Sequence, residues 1–196
     1  MAGEKYVVAA ADNPLQIAVR NILNPRGYVF VGNCGDSISL LRLVRSNHPD
    51  FAVIDVRLPV RDFRATVETL DDEMLCACIF VGEYKNDDIA GLIEKSRCLS
   101  YCPLPLSRDL LVHTVELSML NYKRVSELNR KLKEMTESYE TRKAVERAKW
   151  ILIERDNVSE TEAYERMRKK SMDSRLSMKA IADAIIFTHE MGRKEK

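Results

Sequence analysis

The sequence predicts an α/β fold, in which a doubly wound five-stranded parallel sheet fills the first 120 residues and only helices follow. Short β-rich apolar runs alternate with helix-patterned segments up to residue 107. Parallel strands need helical crossovers, so this alternation indicates a sheet covered by helices on both faces. No glycine or proline then occurs between Pro105 and Gly192, which favours long helices. A chain of 196 residues suits one full-sized domain and a smaller one.

Apolar spacing predicts the individual elements. Strands are predicted at 6–11, 28–32, 51–55, 78–81 and 99–102, and helices at 14–26, 37–47, 60–71, 86–97 and from Ser107 onward. The residues expected to face inward are Leu15, Val19, Ile22 and Leu23 in the first helix, which ends at Gly27, and Ile38, Leu41 and Val44 in the second. Ligands of such folds bind at the carboxyl ends of the strands, which carry Asp12, Asp55, Gly82, Leu104 and Pro105.

The first 120 residues resemble a response-regulator receiver domain. The resemblance rests on Asp12 after strand one, Asp55 at the end of strand three, Tyr101 in strand five, and Pro105. Receivers bind Mg²⁺ through an acidic pair after strand one and the strand-three Asp, which also accepts a phosphoryl group. The resemblance therefore implies that Asp55 stands at the phosphoacceptor position and that Asp12 and Asp55 are the Mg²⁺ ligands.

Three departures from the receiver pattern predict a degenerate receiver. Ala11 stands where the first acidic residue belongs, Gly82 where a Thr or Ser belongs, and Leu104 where a Lys belongs. One metal-binding carboxylate and both phosphate-recognising groups are thereby lost. We expect a domain that docks a sensor protein or senses a ligand without phosphate. Weak Mg²⁺ binding by Asp12 and Asp55, and phosphorylation of Asp55, remain as alternatives, and no other cofactor is expected.

The cysteines and the absence of targeting patterns indicate a reducing compartment. Five cysteines form no even framework: Cys34, Cys76, Cys78, Cys98 and Cys102. The last four lie near two strands that should be neighbours, so a tetrahedral zinc site is the alternative to buried small hydrophobic side chains, which we favour. No signal-peptide pattern occurs, and no apolar run approaches the ~20 residues that span a bilayer. We expect a cytoplasmic protein that does not bind membranes.

Residues 121–140 are predicted to form a coiled-coil helix between two domains. An apolar stripe recurs there at spacings of three and four among charged residues, formed by Val125, Leu128, Leu132, Met135 and Tyr139. A helix so polar elsewhere needs a partner for this stripe. We expect a homodimer through the coiled coil. A coiled coil with another protein, or folding of the stripe against the chain's own domains, are the alternatives.

Residues 141–196 are predicted to form a three-helix bundle. The first helix runs to about Arg155, and its inward residues are Ala144, Val145, Ala148, Ile151 and Leu152. Asn157 is expected to adopt a left-handed conformation that ends the first helix. Ser159 and Glu162 are expected to form a capping box at the start of the second helix. The residues of the second helix that are expected to face inward are Ala163, Tyr164, Met167 and Ser171. The third helix is capped by Ser177, and its expected inward residues are Met178, Ile181, Ala182, Ile185 and Ile186.

The order of residues in this bundle resembles the ANTAR domain, the RNA-binding output module of bacterial transcription antitermination regulators. The matching residues include Arg142, Val145, Glu146, Ala148, Lys149, Ile151, Leu152, Glu154, Arg155, Glu162, Ala163, Tyr164, Arg168, Met172, Ile181 and Ala182. The resemblance implies a regulator that binds paired stem-loops in an mRNA leader as a dimer. The alternatives are a DNA-binding response regulator and a dimeric protein-interaction scaffold.

Charge and aromatic residues indicate where RNA would bind. Residues 1–120 carry 12 basic and 16 acidic side chains, whereas residues 121–196 carry 19 and 14, so positive charge lies in the helical part. The candidate RNA contacts are Arg142, Lys149, Trp150, Arg155, Arg168, Lys169 and Arg175. Arg142 and Lys149 are expected to face outward, although a solvated charged surface is the alternative for Lys149 and Arg168. Trp150 replaces the family's usual Gly, and we favour its packing against the third helix over stacking on a base.

An enzymatic function is not predicted. The three histidines, His48, His113 and His189, are scattered along the chain. No nucleophile stands beside a base in a recognisable motif, and no glycine-rich phosphate loop occurs.

Overall fold

A computed structural model describes residues 3–58, 63–83, 91, 96 and 99–194. The chain divides into two compact units, Met1–Leu128 and Asn129–Lys196. The predicted domain boundaries, 1–120, 121–140 and 141–196, differ from this division and remain predictions. No helix among the described residues is both long and apolar enough to cross a membrane.

The first unit contains the predicted five-stranded parallel sheet with helices on both faces. Its strands are β1 (Lys5–Ala9), β2 (Val29–Cys34), β3 (Phe51–Asp55), β4 (Ala77–Gly82) and β5 (Leu99–Pro103). They lie in the order β2-β1-β3-β4-β5, and each neighbouring pair is parallel. Its helices are α1 (Asn13–Leu23), followed by a 3₁₀ turn at Asn24–Arg26, α2 (Ser37–Asn47), α3 (Phe63–Asp72) and the start of α4 (Arg108–Asp156). This is one of the two common doubly wound strand orders.

Two apolar clusters lie on opposite faces of the sheet. Alternate residues of β1, β3 and β4 meet α1 and α4 on one face and α2 and α3 on the other. The three central strands have side chains buried on both faces, as expected for parallel strands between helical layers. The predicted fold class is confirmed.

Side-chain caps explain why α1 and α2 begin where they do. Asp12 accepts a hydrogen bond from the backbone N–H of Leu15 at 3.1 Å, and Asp36 accepts one from Ser39 at 2.8 Å. Helix α2 has the predicted bounds, but the predicted inward position of Ile38 is wrong. Ile38 is 57% exposed, because the inward face of α2 is formed by Leu40 and Val44.

The second unit contains the predicted bundle of three helices. Helix α4 continues into it, followed by α5 (Glu160–Ser174) and α6 (Met178–Lys194). Its buried core residues are Ala148, Leu152, Ala163, Met167, Ile181 and Ala182. Asn157 is left-handed with φ 51°, and the hydroxyl of Ser159 accepts from the N–H of Glu162 at 3.2 Å. The carboxylate of Glu162 pairs with Arg166 rather than completing the capping box.

Some predictions on the elements need correction or fall outside the described residues. The predicted inward position of Tyr164 is wrong, since Tyr164 is 45% exposed on α5. Strand β1 ends at Ala9 and β2 extends to Cys34, so both are shifted from the predicted 6–11 and 28–32. Nearly all of the predicted helix at 86–97 lies outside the described residues, as does Cys98.

Candidate functional site

The two acidic residues at the carboxyl edge of the sheet are brought together, and an arginine lies between them. Asp55 ends β3 with its side chain 1% exposed, whereas Asp12 precedes α1 at the surface. The guanidinium of Arg57 donates to both carboxylates. Its Nη2 lies 2.7 Å from Asp12 Oδ2 and 2.8 Å from Asp55 Oδ2, and its Nε lies 3.0 Å from Asp55 Oδ1. We call Asp12, Asp55 and Arg57 the acidic pocket.

The electrostatics of the acidic pocket favour the charged form of Arg57. Hydrogen bonding to Asp55 raises the pKa of the guanidinium further above its ordinary value, and Asp12 adds to this. A buried carboxylate needs such a counter-charge, because an unpaired buried charge is costly. Mg²⁺ does not fit this arrangement, since the guanidinium engages both oxygens of Asp55 and one of Asp12. The remaining Asp12 oxygen accepts from the N–H of Leu15.

The positions that recognise phosphate in receivers are filled by apolar contacts. A Cβ at Gly82 would overlap Cγ2 of Val56, so no hydroxyl side chain fits there while Val56 keeps its place. The carbonyl of Gly82 accepts a hydrogen bond from the Tyr101 hydroxyl at 2.6 Å. Leu104 packs, half-buried, against the core beside α1 and α4. A phosphate would therefore meet none of the usual partners at these positions.

The alternative zinc site is contradicted by the faces on which its cysteines lie. Cys76 and Cys78 belong to the core cluster under α2 and α3, whereas Cys102 belongs to the cluster on the opposite face. Thiolates on opposite faces of a sheet cannot share one tetrahedral ion. These cysteines act as the buried small hydrophobic side chains that we favoured.

Lys149, a predicted RNA contact, does not face outward as expected. Its side chain is only 9% exposed, and its Nζ lies 2.8 Å from Glu146 Oε1 and 2.7 Å from Glu160 Oε1. Hydrogen bonds to Glu146 and Glu160 raise the pKa of Lys149. The ammonium therefore joins α4 to the first turn of α5. A role for Lys149 in direct RNA contact stays a prediction, and its premise of an exposed side chain is wrong.

Trp150 is exposed, so its favoured packing against the third helix is wrong. The indole is 63% exposed and lies on the side of α4 opposite to Ala148 and Leu152, which form the core. Stacking of Trp150 on a base is the alternative that survives. Arg142, two residues before Ala144, is exposed as predicted.

The clearest positive surface of the second unit lies at the carboxyl end of α5. Arg168, Lys169 and Arg175 are exposed, and none of them forms an ion pair with any residue that the structure describes. Arg175 ends the helix in a left-handed conformation with φ 55°. Exposed Met172 and Leu176 lie among them, 70% and 52% exposed. We call Arg168, Lys169 and Arg175 the cation cluster.

A groove of about 390 Å³ runs between the three helices of the second unit. Its floor is apolar, formed by Leu152, Met167, Ile181 and Ile185. Its rim carries cations, Arg155, Arg166 and Lys170, together with Asp156. Asp156 pairs with Arg155 at 2.7 Å and with Arg166 at 3.3 Å, so the charge of Arg155 is partly neutralised. Lys170 has no ion pair among the described residues.

The predicted coiled-coil stripe is largely uncovered. Leu128, Leu132, Met135 and Tyr139 are between 63% and 71% exposed, and Val125 is half-buried. Folding of the stripe against the chain's own domains stays an alternative. Homodimer formation through them stays a prediction.

Sequence reasoning missed three features of these sites. Arg57 could have been noticed as a cation two residues after Asp55, in a pocket that has lost its other receiver groups. The pairing of Glu160 with Lys149 could not be predicted, because it depends on the turn between two helices. The groove depends on the spacing of three helices and is invisible to the pattern of any one of them.

Comparisons with known proteins agree with this arrangement. Residues 133–186 match the family model of the ANTAR domain. The transcriptional regulatory protein PdtaR of Mycobacterium tuberculosis is 24% identical over 184 residues, covering 94% of this chain and 90% of PdtaR. Both matches are regulatory rather than enzymatic, and they support a regulator of the antitermination kind.

Solved structures show the fold of the first unit. The signal receiver domain of a modulated diguanylate cyclase from Desulfovibrio desulfuricans matches with a TM-score of 0.55 and 18% identity, over 62% of this chain and 97% of that one. The signal receiver domain of an HD domain-containing protein from Pseudomonas fluorescens matches with a TM-score of 0.57 and 12% identity, over 65% and 94%. Residues 133–186 of the chain therefore match the ANTAR domain, and they follow a first unit that has the fold of receiver domains.

Proposed function

We propose that this protein is an RNA-binding antitermination regulator that binds stem-loops in nascent mRNA through its carboxyl-terminal helices. The observation that carries the proposal is the cation cluster, which lies within the residues matched to the ANTAR domain. None of its three side chains forms an ion pair with a described residue. Binding of such cations to RNA phosphates is favourable, because each contact releases counterions from the nucleic acid.

Two further features of the second unit suit RNA loops better than duplex DNA. Loops present unstacked bases, which proteins bind with flat or apolar surfaces. Exposed Trp150 offers an indole face, and the groove offers an apolar floor beside Lys170. A base on either surface would lie near cations that contact its phosphate.

The same proposal accounts for regulation. Protein bound to stem-loops in an mRNA leader would hold a form of the RNA in which the terminator cannot fold. Two copies joined through Leu128, Leu132, Met135 and Tyr139 would present two such surfaces to paired stem-loops. We propose further that the receiver-like domain controls this activity by docking a sensor protein or a ligand.

Fluorescence anisotropy tests the proposal with a tandem-hairpin RNA and a duplex DNA of the same sequence, each over a range of salt concentrations. The wild-type chain should prefer the RNA. Combined Arg168→Ala and Lys169→Ala should weaken RNA binding and reduce the salt slope by about 0.7 for each phosphate that is no longer neutralised. Arg147→Ala is the matched control, because Arg147 is exposed in the same unit but pairs with Glu190 at 2.6 Å.

Each contrary outcome supports a different function. Equal or tighter binding to duplex DNA would favour a DNA-binding regulator. Absence of nucleic-acid binding, together with salt-insensitive binding to a protein, would favour an interaction scaffold. An equal loss of RNA affinity in Arg147→Ala would show that the cation cluster has no special role.

A further inference from the structure

The acidic pocket of the receiver-like domain contains a cation that belongs to the chain itself. The guanidinium of Arg57 forms a two-pronged pair with Asp55, from Nε to Oδ1 and from Nη2 to Oδ2, at 3.0 and 2.8 Å. The same Nη2 bridges to Asp12 at 2.7 Å. In addition, the backbone N–H of Arg57 donates to Asp55 Oδ1 at 2.9 Å.

We propose that Arg57 is the resident cation of this pocket and that it excludes divalent metal ions from Asp12 and Asp55. The receiver-like domain then keeps one charge state, which does not depend on metal or phosphate. This proposal is independent of RNA binding by the second unit, because its test measures metal binding alone.

Geometry supports the exclusion of metal. Mg²⁺ requires its oxygen ligands at about 2.0–2.1 Å in a nearly octahedral arrangement. Arg57 engages three of the four carboxylate oxygens of the pocket, and the N–H of Leu15 engages the fourth. A metal ion could bind only after the guanidinium of Arg57 had left both carboxylates. A planar guanidinium that pairs with a carboxylate through two hydrogen bonds is one of the stronger ion pairs in proteins.

The position of Arg57 in the chain adds to its advantage over a free ion. Arg57 is two residues from Asp55, and its own backbone N–H is held by the same carboxylate. The guanidinium is therefore always present at high effective concentration. Asp55, with a side chain 1% exposed, also requires a counter-charge in the folded state, and Arg57 supplies it without dehydrating a metal ion.

The end of the neighbouring strand β4 also lacks room for a side chain that could bind phosphate. Val56 occupies the space that a side chain at Gly82 would need, and its N–H donates to the carbonyl of Val81 at 3.0 Å. The hydroxyl of Tyr101 is bound to the carbonyl of Gly82. Removal of Arg57 alone should therefore open a metal site without restoring a phosphate site.

Binding of Mn²⁺ to the full chain, followed by the electron paramagnetic resonance signal of the free ion, tests the proposal. Arg57→Ala should bind one Mn²⁺ about tenfold or more tighter than the wild type. Adding Asp55→Asn to Arg57→Ala should abolish that gain. Arg45→Ala is the matched control, because Arg45 also pairs with a carboxylate, Glu73 at 2.8 Å, outside the acidic pocket.

Each result either supports or overturns the exclusion of metal ions by Arg57. Equal Mn²⁺ affinity of the wild type and a folded Arg57→Ala would overturn the proposal, as would a gain that survives Asp55→Asn. If Arg57→Ala does not fold, the wild-type chain is titrated with Mg²⁺ while the Nε–H resonance of Arg57 is followed by NMR. An unchanged resonance supports the proposal, and a resonance that shifts or is lost overturns it.

Discussion

Nζ of Lys149 donates a hydrogen bond to Oε1 of Glu160 at 2.7 Å, across the turn between α4 and α5. A second bond reaches Glu146 one turn earlier on α4. The motif lysine therefore fixes the angle at which the second helix leaves the first. Weaker RNA binding in a Lys149 variant would then reflect the shape of the domain as well as any direct interaction of the ammonium with RNA.

Replacement of Lys149 by Ala is expected to lower the melting temperature of the chain by a few degrees. The substitution removes two charge-assisted hydrogen bonds from a largely buried position. Glu160→Gln should reproduce part of the loss, since it weakens the same bond. Circular dichroism during heating measures both. A Lys149→Ala variant that melts like the wild type, yet binds RNA weakly, would instead assign Lys149 to direct RNA contact.

The contribution of this pair to stability is expected to disappear in acid. Hydrogen bonding to Lys149 lowers the pKa of Glu160 below its ordinary value of 4.5. A carboxyl group with a lowered pKa stabilises the folded state above that ordinary value, and the contribution is lost as pH falls through the lowered one. The melting difference between wild type and Glu160→Gln should therefore shrink below pH 4.5. A difference that stays constant in acid would contradict the pairing.

The fluorescence of Trp150, the only tryptophan, should report an indole in water. Its 63% exposure predicts a red-shifted emission that acrylamide quenches readily. Trp150→Ala should leave the melting temperature nearly unchanged and weaken RNA binding about tenfold, if one base stacks on the indole. Trp150→Phe, which keeps an aromatic face, should retain most of the affinity. An unquenched, blue-shifted emission would show that a second copy or another segment covers Trp150.

Disruption of the apolar stripe should dissociate the proposed dimer. Leu132 is 63% exposed in a single chain, so burial against a second copy is the expected gain. Leu132→Glu should raise the dimer dissociation constant roughly a hundredfold or more, as measured by sedimentation equilibrium. Lys133→Glu introduces the same side chain one position off the stripe and should leave the dimer intact. A wild-type chain that sediments as a monomer would remove the basis for this prediction.

Two methionines of α5, one buried and one exposed, are expected to contribute differently to the stability of the bundle. Met167 is 1% exposed, and Met167→Ala should lower the free energy of unfolding of the bundle by about 3 kcal/mol through the cavity it leaves. Met172 is 70% exposed, so Met172→Ala should have almost no effect. Hydrogen exchange of α5 amides measures the stability of this unit separately. Equal effects of the two substitutions would contradict the observed face of α5.

The fold was predictable from the sequence because its signals are local. Strand β3 coincides with the predicted run at 51–55. All five of its residues are buried, so the strand is covered on both faces and no choice of inward face had to be predicted. Helix α2 coincides with the predicted 37–47, because Asp36 caps its start and left-handed His48 ends it. The inward face of α2 was harder to predict. Of the three residues predicted to face inward, Val44 is buried, Leu41 is partly buried and Ile38 is exposed. Leu40 takes the inward place near the start of the helix, and only the sheet beneath selects it over Ile38.

The sites were less predictable because they depend on contacts between elements. The charge of Lys149 is visible in the sequence, but the two carboxylates that surround it are positioned by the bundle. Large aromatic residues are usually buried, so composition favoured the interior for Trp150, whereas its place on α4 turns it to solvent. The loss of the receiver groups could be seen at Ala11, Gly82 and Leu104. The charge of Arg57 is visible there too, but its hydrogen bonds to Asp12 and Asp55 are not.

The contact between Val56 and Gly82 restricts the mutational routes open to this domain. A side chain cannot be added at Gly82 until Val56 has become smaller or turned away, since Cβ and Cγ1 of Val56 would also lie 3.1 Å from the new Cβ. A hydroxyl at that position therefore requires a change at Val56 as well, and that change brings no phosphate contact by itself. A single mutation at Gly82 therefore meets a steric barrier before it can supply a phosphate contact.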